Sequence, residues 1–263
     1  MARRVLHGRR FSGRREVAIG LGVYAVYLLA ARRKRGARGR IQAARNAERV
    51  VALEERLGIH VEPELQALLL PRRRLLVVLN LAYATLNVGL TVGWLMRLYG
   101  RRHPEFHRLR RAAVLTTLGA QPAFVLFPCA PPRSLDHFVD TIRDVSGIDL
   151  DRGLVAQLYD PLAAMPSIHV AYAVVTAAGI SATAESRTLR TLAPAYPPLV
   201  ALVVFVTANH YVLDAVAGAA LGALGLRAAR ALEGPQPRRR RRRAAATRAI
   251  VPGNAACRIP ATR

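Results

Sequence analysis

Long apolar runs separated by arginine-rich stretches set the pattern of the chain. Leu75 to Met96 gives 22 mostly apolar residues, with Asn80 and Asn87 as the strongly polar interruptions, enough for a helix to cross a hydrocarbon core. Ala112 to Pro128, Ser167 to Ala184, Thr191 to Ala208 and Tyr211 to Leu226 repeat the pattern. The first run, Val17 to Ala31, has only 15 residues, which at helical rise reach about 22 Å against a core of about 30 Å. Arginines ahead of a short apolar run also suit a signal peptide. A cleavage site needs small residues, however, and Arg32, Arg33, Lys34 and Arg35 stand there instead, so the run is read as a membrane anchor. The expected fold is all-α, a polytopic membrane helix bundle of about six transmembrane helices. It divides into a basic cytoplasmic N-terminus over 1–16, a membrane domain over 17–234 and a disordered arginine-rich tail over 235–263.

Two connecting segments stand out. Between the first and second runs, Ala47 to Leu57 and Glu64 to Leu70 carry helical patterning, with Val50, Leu53 and Leu57 on one stripe and Gly58 as the stop. They predict short amphipathic helices lying at the interface over about 44–70, with a small soluble subdomain as the alternative. The loop over 129–165 holds Asp136, Asp140, Asp144, Asp149, Asp151 and Asp160 but only three arginines, and is the acidic stretch of the chain.

Charge changes the picture next. The net charge of +24 invites a nucleic-acid reading. Of the 40 basic residues all but Lys34 are arginine, and they lie in tails and loops without any zinc-finger, recognition-helix or aromatic-basic pattern. No nucleic acid is therefore expected as a partner. Attraction to anionic lipid heads and control of orientation account for the arginines, with Arg238 to Arg243 in a lipid-facing tail. Positive residues prefer the cytoplasm, which puts the Arg97 to Arg111 loop, the turn at Arg187 and Arg190, and the C-terminal tail on that side. If the first run spans, 25 basic residues lie inside against 15 outside; if it does not, the balance is 19 against 21. The acidic loop then faces outward. Cys129 and Cys257 show no metal spacing, fall on opposite sides and are both expected to be free.

The chemistry sits at the edges of the apolar runs. Met165-Pro166-Ser167-Ile168-His169 and Asn209-His210-Tyr211-Val212-Leu213-Asp214 place ionisable side chains beside hydrocarbon, where they are costly and point to function. His210 and Asp214, four apart, share a helical face, so the carboxylate can fix the imidazole tautomer and support its charged form. That is how a nucleophile is activated. His169 follows a Pro-Ser turn that opens a helix, where free amides bind an anion. All the same residues have plain readings as well. Ser167 can serve only as a cap, the His210–Asp214 pair as a local hydrogen bond, and Arg133 as an interfacial anchor. Gly218, Gly222 and Gly225 form a small-residue stripe that lets helices approach closely in lipid. Another helix of the same bundle is the expected partner of that stripe, with a homodimer face as the alternative.

On these runs the chain resembles the type 2 phosphatidic acid phosphatase superfamily, specifically its inositolphosphotransferase and inositol phosphorylceramide synthase-like branch. The first run is Phe127-Pro128-Cys129-Ala130-Pro131-Pro132-Arg133; the others are the Pro-Ser-x-His of Pro166 to His169 and the His-x-x-x-Asp of His210 to Asp214. The resemblance implies that His210 attacks phosphorus, oriented by Asp214, that His169 protonates the leaving alcohol, and that Arg133 and Ser167 hold phosphoryl oxygens. It implies neither metal nor cofactor, and a phosphorylated lipid substrate at a multi-pass cell-membrane site on the outer face. The chain departs from the phosphatase branch in having no lysine seven residues before the arginine of the first motif, and Val204 where that branch has an arginine six before the nucleophile. Arg143 or Arg152 is the candidate replacement cation. Three other classes stay open: a transporter or channel with a His/Asp/Arg polar pathway, a metal site built from His169, His210 and Asp214, and a non-enzymatic lipid-binding scaffold.

Overall fold

The computed structural model describes residues 11–34, 36–150 and 159–233, without the side chains of 86 and 87. The described residues up to Arg230 form one compact unit. The expected tail over 235–263, Arg152 and Cys257 lie outside the described residues.

All six apolar runs fold as helix, and no strand occurs among the described residues. Helix α1 spans Gly13–Arg32, α2 Ala37–Leu57, α3 Glu62–Leu69, α4 Arg73–Leu81 and α5 Asn87–Gly100; α6 is Phe106–Leu126 and α7 Thr141–Ser146. After the acidic loop come α8 Ile168–Thr183, α9 Arg187–Leu192, α10 Tyr196–Val206 and α11 Val212–Ala231. A π-helical turn, Ala82–Leu86, joins α4 to α5, and the two arms meet at 48°. The second predicted run is thus a bent pair. By length and composition two helices, Arg187–Val206 and Val212–Ala231, can cross a membrane, or three counting the bent pair as one. The six-span count goes beyond that.

Large aliphatic side chains point outward, among them Val17 and Leu21 of α1, Val78 of α4, Met96 of α5, Leu202 of α10 and Val216 of α11. The interior mixes alanine, glycine and small polar groups with large side chains such as Leu76, Leu109, Phe124 and Tyr211. So many large apolar side chains on the outside suit a bundle folded in lipid, where tails solvate leucine and close packing with interhelical hydrogen bonds holds the helices. Thr91 with Thr176 at 2.8 Å, and Thr117 with Tyr172 at 2.5 Å, are such bonds.

Helix α8 is the centre, packed against α5, α6 and α10. Helix α11 lies on it through the glycine stripe: a β-carbon at Gly218 would stand 2.2 Å from the Ser167 carbonyl oxygen, and one at Gly222 2.5 Å from that of Ala171. Gly225 meets α6 in the same way, 2.2 Å from Thr116 Oγ1. The stripe is therefore used within the chain. Helix α1 traverses the bundle from end to end. Near its start Glu16 pairs with Arg110 of α6 at 2.8 Å, and towards its end the Tyr27 hydroxyl accepts the Asp160 amide at 2.9 Å. Its 20 residues cover about 30 Å, more than the 15-residue apolar run suggested.

The stretch after α1 is helical as expected, and Gly58 ends α2 in the left-handed region at φ 66°. The face packed on the protein is not the leucine stripe. Val50 is buried, but Leu53 and Leu57 are 47% and 57% exposed, and the packed face is Ala43, Asn46, Ala47, Val50 and Glu54. Polar side chains are inside because they have partners there. Asn46 donates to the Pro128 carbonyl at 2.8 Å, and Glu54 serves the start of α11.

Candidate active site

Three chain segments meet at one end of the bundle: the turn Pro132–Ser134, the start of α8 and the link between α10 and α11. The link turns sharply at Ala208, whose φ is 52°. Its carbonyl accepts the Arg133 amide at 2.8 Å, which stitches the first motif to the third. The Ser167 amide donates to the Asp214 carbonyl at 2.9 Å and stitches the second motif to the third.

These stitches bring the two histidines face to face. His210 Nε2 lies 3.3 Å from His169 Nδ1. On the other side of its ring, His210 Nδ1 lies 2.9 Å from the Ala164 carbonyl oxygen and 3.3 Å from Asp214 Oδ2. A carbonyl only accepts, so Nδ1 carries the proton and Nε2 presents its lone pair to His169. Asp214 is fully buried and also accepts the Tyr211 amide at 3.1 Å. The Tyr83 ring covers His169 with centroids 4.5 Å apart and fixes its plane. Because His169 and Asp214 address opposite nitrogens of His210, the three side chains do not converge on one point as a facial metal triad requires.

The predicted site residues thus fall into two groups. His169, His210 and Asp214 form one hydrogen-bonded row. Arg133 is buried and joins the row through its neighbour, donating from Nε to Asn209 Oδ1 at 3.2 Å. The Ser167 hydroxyl acts as the cap of α8, accepting the Val170 amide at 3.3 Å. A small cavity of about 30 Å³ opens on His169, His210, Asn209, Tyr83, Tyr159 and Asp160. Neither Arg133 nor Ser167 lines it. On the other side of His169 an apolar groove of about 170 Å³ runs along Leu79, Ala82, Leu199, Val200 and Val203.

Of the two candidate replacement cations, Arg152 lies outside the described residues. Arg143 lies on the surface and pairs with Asp144 at 2.8 Å. Val204, six before His210, is buried among Val170, Ala173, Val200 and Ala215, and its carbonyl accepts the Asn209 amide at 2.9 Å. The cation near the cavity is Lys34, brought in by α1 and paired with Asp160 at 2.7 Å, both side chains almost wholly buried. Burial pulls the Lys34 ammonium below its ordinary pKa, and the Asp160 carboxylate opposes that pull. Its being the single lysine of the chain was the available signal; its distance in sequence from the motifs hid it. Cys129 is a buried free thiol, which burial keeps protonated.

Sequence reasoning also missed Glu54, His60 and Glu62. Glu54 Oε1 accepts the Leu213 amide and Glu62 Oε1 the Val212 amide, each at 2.6 Å. Two carboxylates from α2 and α3 therefore satisfy the first-turn amides of α11 and complement its dipole. They hold the helix that carries Asp214.

The family model of the PAP2 superfamily matches residues 48–228, more than half of the chain. No curated protein and no solved structure matches.

Proposed function

The chain belongs to the PAP2 superfamily, and from that premise we propose that it is an integral membrane enzyme removing or transferring the phosphoryl-containing group of a lipid through a phosphohistidine on His210. The observation that carries this reading is the His210 ring: Nδ1 committed to the Ala164 carbonyl and Asp214, Nε2 open to His169. A nucleophile needs its lone pair aimed at phosphorus and its rear nitrogen backed by an acceptor that tolerates the positive charge formed on attack. In the reaction Nε2 attacks phosphorus, His169 protonates the departing alkoxide, and the phosphoryl group is passed to water or to an acceptor hydroxyl activated by the same His169. Arg133, set beside the nucleophile through Asn209, is the guanidinium for the equatorial oxygens, and the amides at the head of α8 behind Ser167 add to it. No step is routed through a metal.

The apolar groove beside His169 supports a lipid substrate, since it would take part of an acyl or prenyl chain while the phosphate meets the histidine row. The Pro-Pro-Arg form of the first motif and Val204 in place of arginine favour the inositolphosphotransferase-like branch. The outward position of the site follows from the arginine distribution. A polar transport pathway is less well supported. The buried ionisable groups His169, His210, Asp214, Arg133, Lys34 and Asp160 gather at one end of the bundle, whereas its middle holds threonine and tyrosine bonded across helices.

Purified protein in detergent, given labelled phospholipids and polyprenyl phosphates, is expected to release phosphate or a transferred product and to carry an acid-labile phosphoryl group on His210. His169→Ala should slow turnover by about 10²–10⁴-fold and recover in part with a good leaving group. Equal losses across leaving groups would remove His169 as the acid, and labelling that survives His210→Ala would remove the nucleophile.

A further inference from the structure

Glu54, His60 and Glu62 form a second cluster with no part in the reaction above. Both glutamates are fully buried, and His60 is 13% exposed. Each carboxylate spends Oε1 on an α11 amide and turns Oε2 toward one atom, His60 Nδ1, at 3.4 Å from Glu54 and 3.3 Å from Glu62. Glu62 Oε2 is buried and accepts no hydrogen bond among the described residues. One nitrogen and two carboxylate oxygens, all within 4.8 Å of one another, therefore converge.

We propose that Glu54, His60 and Glu62 bind a divalent transition-metal ion of the zinc class, which joins α2 and α3 to the first turn of α11. Spacing supports this. Ligands bound at about 2.0–2.1 Å around a tetrahedral ion stand about 3.3–3.4 Å apart, the separation seen from His60 Nδ1 to both oxygens. Ligand type supports it too, because imidazole with carboxylate is a zinc set. The surroundings are those of a finished site: the Val212 and Leu213 amides hold the two carboxylates by their other oxygens, as outer-shell donors do around metals. Charge supplies the driving force. Two buried carboxylates side by side are unfavourable. A divalent ion would relieve this directly, and the partly exposed His60 gives a way in. The ion has a structural role, distinct from the histidine row.

The test uses the full chain in detergent, purified on a tag without histidine, stripped with a chelator and dialysed against excess zinc. After removal of free ion the protein is expected to retain one zinc per chain by elemental analysis and to unfold at higher temperature than the stripped form. Glu62→Gln, which keeps the oxygen that accepts the Val212 amide, and His60→Ala, which leaves both carboxylates in place, should each weaken zinc binding at least ~10-fold. His103→Ala, at the opposite end of the bundle, should retain it. Failure of the native protein to hold zinc, or retention by Glu62→Gln and His60→Ala equal to native, would overturn the proposal and leave the cluster an ion pair of His60 with its carboxylates. None of these measurements depends on catalytic activity.

Discussion

At the residue scale the site turns on which nitrogen of His210 carries its proton. The Ala164 carbonyl at 2.9 Å already sets that tautomer, so Asp214 at 3.3 Å adds chiefly charge. This separates two roles that spacing alone combines. Asp214→Asn still offers an oxygen to the Tyr211 amide, and its stability loss should be about 1 kcal/mol, the scale of a helix-start hydrogen bond. The phosphohistidine would lose its counter-charge, and phosphoryl transfer should fall by about 10²–10⁴-fold, the loss seen when a triad aspartate is neutralised. Thermal unfolding and turnover measured on one preparation decide this. A folded Asp214→Asn protein with near-native turnover would leave the aspartate a structural role only.

At the element scale the distance between the two histidines is set by how closely α11 approaches α8. Gly218 and Gly222 allow backbone-to-backbone contact that no β-carbon permits, and the adjoining Ser167 and Ala171 carbonyls cannot yield as a flexible side chain would. Gly218→Ala is therefore expected to push the helices apart, costing about 1–3 kcal/mol as an overpacked contact does, with a matching loss of turnover as His210 withdraws from His169. Gly20→Ala and Gly22→Ala in α1, where nothing lies within 4 Å, are the controls and should be neutral or slightly stabilising. Native turnover in Gly218→Ala would show that some other contact fixes the pair.

Over the whole molecule the paired ends give a consistent map. Glu16 with Arg110 and Arg101 with Glu185 gather the start of α1, the Arg97 to Arg111 loop and the turn before α9 at one end. The histidines, Lys34, Asp160 and the Glu54–His60–Glu62 cluster occupy the other. Combined with the preference of arginine for the cytoplasm, this map predicts that reporter fusions at Asp149 and after Arg243 lie on opposite sides of the membrane. Reporters on the same side would mean that the number of crossings between them is wrong. The 12 basic residues from Arg32 to Arg74 belong to the site end, where interfacial helices give them lipid head groups to meet.

The sequence by itself determined that the apolar runs are helical, the stop at Gly58 and the three motifs, because hydropathy, glycine and motif spacing are local properties of the chain. His210 with Asp214 was legible for the same reason, being four residues apart on one helix face, and the glycine stripe announced a close helix contact. The α8 and α6 partners of that stripe, and the meeting of His169 with His210, came from tertiary packing. So did the Ala164 carbonyl that sets the tautomer, since a backbone oxygen carries no mark in sequence. Lys34 and Asp160 are 126 residues apart, and Glu54 and Glu62 reach α11 from helices that lie far before it in sequence. In a bundle folded in lipid, leucine gains little by going inside, so hydrophobicity marks the outer surface, and the buried polar partners become visible only once the helices are packed.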